Sequence, residues 1–320
     1  MRICLTGSTG FIGKKLSNHL LKNNHQIIAP IRNVNLEILP QHKNLNFVYV
    51  EDKGINKNYS QSLTKVDLVI HCAARAHKMK ENKNDCLQLY REVNVYDTLN
   101  LAKQAASHGV RRFIFLSSVK VNGEETLPSN SFKHDDIPKP EDPYGISKFE
   151  AEEALRNLSR KTGMEIVIIR APLVYGEEVK GNFLRLLNLC NKEMPLPFAN
   201  INNIRSMVSI DNLINLITLC MEHPKAVGEV FLVSDEQNIS TTELIKKIKK
   251  FMNKPERLFP LPLFVFKLLG SLLRKSSEIN RLLGSLIVDT SHTRRVLGWK
   301  PKFSLENSLE KTVYWYLKNI

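Results

Sequence analysis

The chain opens on a short apolar run, Ile3–Leu5, and then changes period. Past Gly7, Gly10 and Gly13 the apolar residues recur at helical spacing, at Phe11, Ile12, Leu16, Leu20 and Leu21. The pattern predicts a buried strand, a glycine turn and an amphipathic helix. The alternation continues, with further strands expected at Gln26–Ile31, Asn46–Val50, Val66–Ile70, Arg112–Leu116 and Glu165–Arg170. Between them a long helix is expected over Asn84–His108, its apolar side formed by Leu87, Val93, Val95, Leu99, Leu101 and Ala105, with Gly109 ending it. A second helix, rich in Ala, Glu, Leu and Lys, is expected over Tyr144–Lys161. Repeated strand–helix units imply an α/β fold with a doubly wound parallel sheet, covered on both faces and binding ligands at the carboxyl ends of its strands.

The pattern shifts near residue 178. Loops and helices follow, with scattered strands such as Val230–Val233, and Ser240-x-x-Glu243 forms a capping box opening a helix up to Met252. The expected division is a dinucleotide-binding domain over 1–178 and a smaller α/β substrate lobe over 179–320, with segments crossing between them. Leu258–Leu273 is almost wholly apolar but short for a membrane span and broken by Pro260, Pro262 and Lys267. It reads either as a helix buried in the smaller lobe or as an apolar surface, flanked by Lys254, Arg257, Arg274 and Lys275, for a membrane or a partner.

Composition narrows the class. At 42% hydrophobic and 24% charged residues, the 320-residue chain has an ordinary globular profile. Its formal charge of +14 fits anionic ligands or a lysine-rich solvated surface. No nucleic-acid module is present, so no nucleic-acid partner is expected. The five cysteines form no C-x-x-C pair, so neither structural disulfides nor a metal site is expected. A reduced, cytoplasmic setting follows, with peripheral membrane contact through Leu258–Leu273 as an added option.

The glycine turn carries the first chemistry. Gly7 permits a tight turn, Gly10 lets the backbone approach a ligand, and Gly13 lets the helix press on the sheet, while free helix-end N–H groups face a pyrophosphate. The end of the second strand, Ala29-Pro30-Ile31-Arg32-Asn33, lacks the acid that receives an NAD ribose. Arg32 could pair with a 2′-phosphate or stack on adenine, which favours NADP(H) over NAD(H). Asp52, after the third strand, could accept from the adenine amino group.

Tyr144-Gly-Ile-Ser-Lys148 carries the second. Residues four apart on a helix share a face, and an ammonium beside a phenol lowers the phenol pKa. Tyr144 could then exchange a proton with a sugar or alcohol oxygen while hydride passes to or from nicotinamide. Ser118, ending the fifth strand, could hold the same oxygen.

With these motifs in place, the sequence resembles the extended short-chain dehydrogenase/reductase family, in its UDP-glucose 4-epimerase-like branch. The resemblance rests on Thr6-Gly7-Ser8-Thr9-Gly10-Phe11-Ile12-Gly13, His71-Cys72-Ala73-Ala74, Asn94-Val95, Phe115-Leu116-Ser117-Ser118, Tyr144–Lys148, Arg170-Ala171-Pro172-Leu173-Val174-Tyr175-Gly176 and Leu297-Gly298-Trp299-x-Pro301. It implies a Rossmann-type domain and a Ser118/Tyr144/Lys148 triad, with Lys148 also holding the nicotinamide ribose. It implies cofactor contacts from the 6–13 turn, including Thr9, Phe11 and Ile12, and from Ala73, Ala74, Asn94 and Pro172. Asn182, Arg205 and Arg281 match positions that contact a substrate diphosphate, although the arginines could be surface charges and Asn182 a helix cap. A homodimer through the helices bearing Asn94 and Tyr144 is also implied. Two departures stand out. Val121-Asn122-Gly123 replaces a usual Val-Tyr-Gly, which would alter a wall of the sugar pocket, and Arg32 stands where retaining epimerases carry an acid. The resulting expectation is C4 chemistry on a UDP-hexose or UDP-N-acetylhexosamine for surface polysaccharide, with 4-keto reduction ahead of 4-epimerisation. A polyprenyl-diphosphate sugar is a further substrate option, and a non-catalytic dinucleotide sensor the distant alternative.

Overall fold

The computed structural model describes residues 1–32, 41–51, 54, 56–76, 86–272 and 276–320. The first half runs β1 (Arg2–Thr6), α1 (Phe11–Lys22), β2 (Gln26–Ile31), β3 (Leu45–Tyr49), α2 (Ser60–Leu63), β4 (Leu68–His71), α3 (Cys86–Arg91), a π-helical turn (Glu92–Tyr96), α4 (Asp97–Ser107), β5 (Arg112–Ser118), α5 (Pro143–Thr162) and β6 (Glu165–Ala171). The second runs β7 (Leu173–Tyr175), α6 (Gly181–Asn191), β8 (Met207–Ser209), α7 (Ile210–Glu222), β9 (Val230–Leu232), α8 (Thr241–Phe251), α9 (Leu263–Leu272), α10 (Ser276–Leu283), α11 (Ser291–Leu297) and α12 (Leu305–Lys318).

Seven of the described strands form a parallel sheet in the order β3-β2-β1-β4-β5-β6-β9. Successive residues along each strand serve opposite faces. Ile3, Leu5, Ile27, Ala29, Leu68, Ile70, Ile114 and Leu116 pack with Leu16 and Leu20 of α1 and Leu213 and Ile217 of α7. Cys4, Ile28, Val69, Phe113, Phe115 and Ile168 pack with Leu101 and Ala105 of α4 and Leu155 of α5. Both faces are therefore apolar, which is why these strands read as unbroken hydrophobic runs. This is a doubly wound, Rossmann-like α/β fold.

Three second-half elements return to this sheet. β9 pairs with β6, and α7 and Leu297 of α11 join the α1 face. Helices α6, α8, α9, α10 and α12 close a separate core around Phe183, Leu187, Phe198, Leu244, Ile248, Leu309 and Val313. Ser240 caps α8 as the capping box implies, its hydroxyl accepting from the Glu243 N–H at 3.0 Å.

The expected long helix is broken by the π turn at Glu92–Tyr96, which inserts an extra residue into the ladder and often marks a functional position. β5 runs two residues further than the apolar run, to Ser118, because Ser117 and Ser118 keep their ladder partners Arg170 and Ala171 in β6. Within Leu258–Leu273 the structure forms α9, in which Phe266 is buried while Leu263, Phe264, Leu268 and Leu272 are exposed. No described helix is long and apolar enough to cross a membrane.

Candidate active site

At the carboxyl end of β1 the chain packs backbone against backbone. Gly7 has φ +70°, and a Cβ there would lie 2.8 Å from the Ala73 nitrogen. At Gly13 a Cβ would lie 2.1 Å from the Gly7 carbonyl oxygen. The Gly10 N–H donates to that same oxygen at 2.9 Å, and Phe11, Ile12 and Gly13 form the first turn of α1. Thr6, Gly7, Ser8, Thr9, Arg32 and Ala73 line a cleft of about 190 Å³ over this turn. Ala74 follows Ala73 beyond β4. A glycine turn packed this closely against its own backbone at a helix N-terminus, under an open cleft, fits a pyrophosphate.

The floor of the cleft is polar and buried. The Thr6 hydroxyl lies 2.8 Å from His71 Nδ1, and His71 Nε2 lies 2.9 Å from the Thr98 hydroxyl. Burial, with help from Lys148, pushes His71 down to about 3, so the imidazole is neutral. The Asp97 carboxylate accepts from Lys57 Nζ at 2.8 Å and from the Tyr59 hydroxyl at 2.9 Å. Tyr59, His71 and Asp97 all line the cleft, and sequence reasoning gave none of them a role. Asp97 carried a faint signal, an acid three residues past Asn94 on one helix, but its partners lie 38 and 40 residues away. Arg32, exposed at the end of β2, reaches the same cleft. Asp52 lies outside the described residues.

Asn94 sits in the π turn, fully buried. Its amide donates to the Ser147 hydroxyl at 2.9 Å and to the Arg75 carbonyl at 3.2 Å, and its oxygen accepts from the Arg75 N–H at 2.8 Å. One side chain thus ties the loop after β4 to α5, between Tyr144 and Lys148.

A second cavity, about 800 Å³, brings together Ser118, Tyr144, Pro172, Asn182, Arg205 and Arg281. Asp142 starts α5, accepting from the Gly145 N–H at 2.7 Å, and Pro143 takes the first helical position. That cap holds Tyr144 at the cavity wall. Ser118 Oγ accepts from the Lys120 N–H at 3.3 Å. Asn182 lies at the second position of α6 without capping it, 3.5 Å from the Arg185 guanidinium.

Lys148 departs from the expected geometry. It is buried behind the cavity wall, its ammonium donating to the Leu116 carbonyl at 2.9 Å and lying 4.3 Å from the centre of the Phe115 ring. Burial pushes it down to about 8, against the pull of Cys72 and Glu152. The expected lowering of the Tyr144 pKa is accordingly not found. Burial raises that phenol above its ordinary value, and Asp142 and Tyr90 add to the rise.

Asn122 also departs from expectation, because it does not line the cavity. It is buried beside a network in which Arg170 binds Glu152 through contacts of 2.7 and 3.0 Å, Ser117 donates to Glu152 at 2.6 Å, and Arg170 donates to Asn122 at 3.1 Å. The asparagine amide donates to the Lys133 carbonyl at 2.8 Å. The cavity wall on this side comes instead from Val119, Lys120 and Glu124.

Lys120 pairs with Asp142 and, at 2.6 Å, with Glu124; Arg281 approaches Asp142 at 3.5 Å and Glu124 at 3.9 Å. Burial works to raise Asp142, but Lys120, the Gly145 N–H and Arg281 hold it below the usual carboxylate value. Arg205 donates to the Arg281 and Gly284 carbonyls at 2.6 and 3.0 Å, and burial together with Arg281 lowers its pKa. Arg205 and Arg281 are therefore held by the fold around them, and three arginines, Arg185, Arg205 and Arg281, line the cavity.

Residues 3–234 match the NAD dependent epimerase/dehydratase family. The chain belongs to this family. It is 45% identical over 318 residues to a UDP-glucose 4-epimerase of Vibrio cholerae, covering 99% of this chain and 95% of that one. It is 27% identical over 295 residues to an N-acetyl-alpha-D-glucosaminyl-diphospho-ditrans,octacis-undecaprenol 4-epimerase of Escherichia coli O157:H7, covering 87% of this chain and 82% of the relative. The fold matches that of a Bacillus cereus UDP-glucuronic acid 4-epimerase, solved with UDP-glucuronic acid and NAD, with a TM-score of 0.81 at 24% identity over the whole of both chains. The protein is an enzyme of the extended short-chain dehydrogenase/reductase type. The family is NAD-dependent, and the NADP(H) preference read from Arg32 finds no support in it.

Proposed function

We propose that the protein is an NAD-dependent 4-epimerase of UDP-hexoses or UDP-N-acetylhexosamines. The observation that carries this reading is one cavity shared by Ser118, Tyr144 and Pro172 with Asn182, Arg205 and Arg281. It occurs in a chain whose 45% identical relative is a UDP-glucose 4-epimerase. The expectation of 4-keto reduction gives way to epimerisation on that relative. The glycine cradle fits a dinucleotide, and NAD bound there would accept and return a hydride at the sugar C4.

The chain's own residues do the rest. Tyr144 takes the proton from the C4 hydroxyl and later gives it back, with Ser118 holding the same oxygen. Tyr144 takes that proton as the phenolate, and because burial raises the phenol pKa, forming the phenolate is the demanding step; Lys148, one turn further along α5, ties that helix to β5 through the Leu116 carbonyl. Arg205 and Arg281 bind the diphosphate with Asn182 beside them. An anchored diphosphate leaves the hexose free to turn its other face, which epimerisation requires and net reduction does not.

One observation favours a second reading. Arg32 in the cleft suits a 2′-phosphate, and an exchanged NADPH would make the enzyme a 4-keto reductase. Incubation of UDP-glucose and UDP-N-acetylglucosamine without added cofactor, followed by NMR, separates the two. The C4 epimer should appear, and Tyr144→Phe should slow its formation by about 10²–10⁴-fold. NADPH consumption on a UDP-4-keto sugar, with no epimer formed, would favour the reductase.

A further inference from the structure

The cavity does not use the outer face of α9. Phe266 points inward and stacks on Phe198, ring centres 5.7 Å apart, and Phe198 lines the cavity. On the other side Phe264, Leu268 and Leu272 are 69, 58 and 71% exposed. Their four-residue spacing places them in one stripe along the helix. Leu263 at the start of α9 and Phe259 just before it extend the apolar surface, 51 and 43% exposed. Single exposed leucines are ordinary, but a continuous set of large apolar side chains marks an interaction surface.

Charge decides the occupant. Between Arg257 and Ser277 the sequence carries Arg257, Lys267, Arg274 and Lys275 and no acidic residue. A second copy of this chain would bring the same positive segment against itself. An anionic bilayer would satisfy both the cations and the apolar stripe, the chemistry of a helix that lies in a membrane interface. Its ten residues are too few to span.

We propose that α9 docks the protein on an anionic lipid surface, with Phe264, Leu268 and Leu272 inserted among the acyl chains and the net positive charge of the surrounding sequence attracting it to the headgroups. The docked face lies one layer behind the cavity wall, through Phe266 and Phe198. This assignment stands independently of the C4 chemistry.

The test is co-sedimentation of the full chain with vesicles of phosphatidylcholine alone or with phosphatidylglycerol added. The protein should pellet with the phosphatidylglycerol vesicles, less so at high salt, and at least tenfold more weakly as Phe264→Ser/Leu268→Ser. Phe259→Ser/Leu272→Ser should weaken binding in the same direction, and retained thermal unfolding would show that each variant is folded. Equal pelleting of wild type and both variants, or no pelleting with phosphatidylglycerol, would overturn the proposal. So would a wild-type dimer in light scattering that the variants convert to monomer, because the stripe would then be covered by a second copy.

Discussion

Two regions at the carboxyl edge of the sheet are built in different ways. Around Gly7 the contacts are backbone to backbone, and a methyl at Gly13 would sit 2.1 Å from a carbonyl oxygen. Around Tyr144 the contacts are between side chains, in which Lys120, Asp142, Glu124 and Arg281 hold one another. The first region has a single solution, because no rotamer can relieve a clash between backbone atoms. The second has many, because charged side chains can exchange partners. A cofactor shared across a family suits the first construction, and a substrate that varies between relatives suits the second.

Gly13→Ala should break the comparison most severely if it is sound. Dinucleotide binding, read by fluorescence titration, should be lost, because α1 must move off the Gly7 turn; near-normal binding would show that the turn can yield. The buried Glu152–Arg170 pair tests whether any side-chain contact is as inflexible as the backbone ones. Glu152→Ala leaves an uncompensated guanidinium in the interior and should cost about 3–5 kcal/mol in urea unfolding.

Lys148→Met should act in the opposite direction. Its pKa falls from 10.5 to about 8 in the fold, so the unfolded chain binds more protons between those values and stability rises with pH there. Below about pH 8 the buried charge is a net cost, of as much as about 3 kcal/mol. The variant should therefore be more stable at pH 7 and lose that advantage as pH climbs from 8 towards 10.5, while turnover collapses. The smallest effect is expected of Arg32→Asp, which should shift relative affinity from NADP towards NAD by about tenfold in competition titrations and leave the melting temperature unchanged.

The same contrast governs what the sequence made legible. The glycine turn, the strands and the helix after Tyr144 rest on near neighbours and on side-chain period, so they could be read directly. The inward turn of Asn94 could not, because the residue inserted by the π turn rotates the buried face onto Asn94, Asp97 and Thr98, a shift that regular helical spacing does not predict. Lys148 was expected to face the phenol from its four-residue spacing alone. Its actual partner, the Leu116 carbonyl, lies on a strand 32 residues away. Asn122 looked like a pocket residue by position and proved to serve Arg170, a contact 48 residues long. The apolar stretch after Leu258 was visible, but which of its residues face outward depended on the packing of Phe266 against Phe198.

Epimerisation at this site requires hydride to leave and return at one carbon. UDP-glucose deuterated at C4, incubated with the enzyme and unlabelled NAD, tests this directly by NMR of the product. Deuterium should be retained at C4 of the UDP-galactose formed, with no net change in nicotinamide absorbance. Loss of the label to solvent or to free NADH, or product formation that requires NADPH, would contradict it.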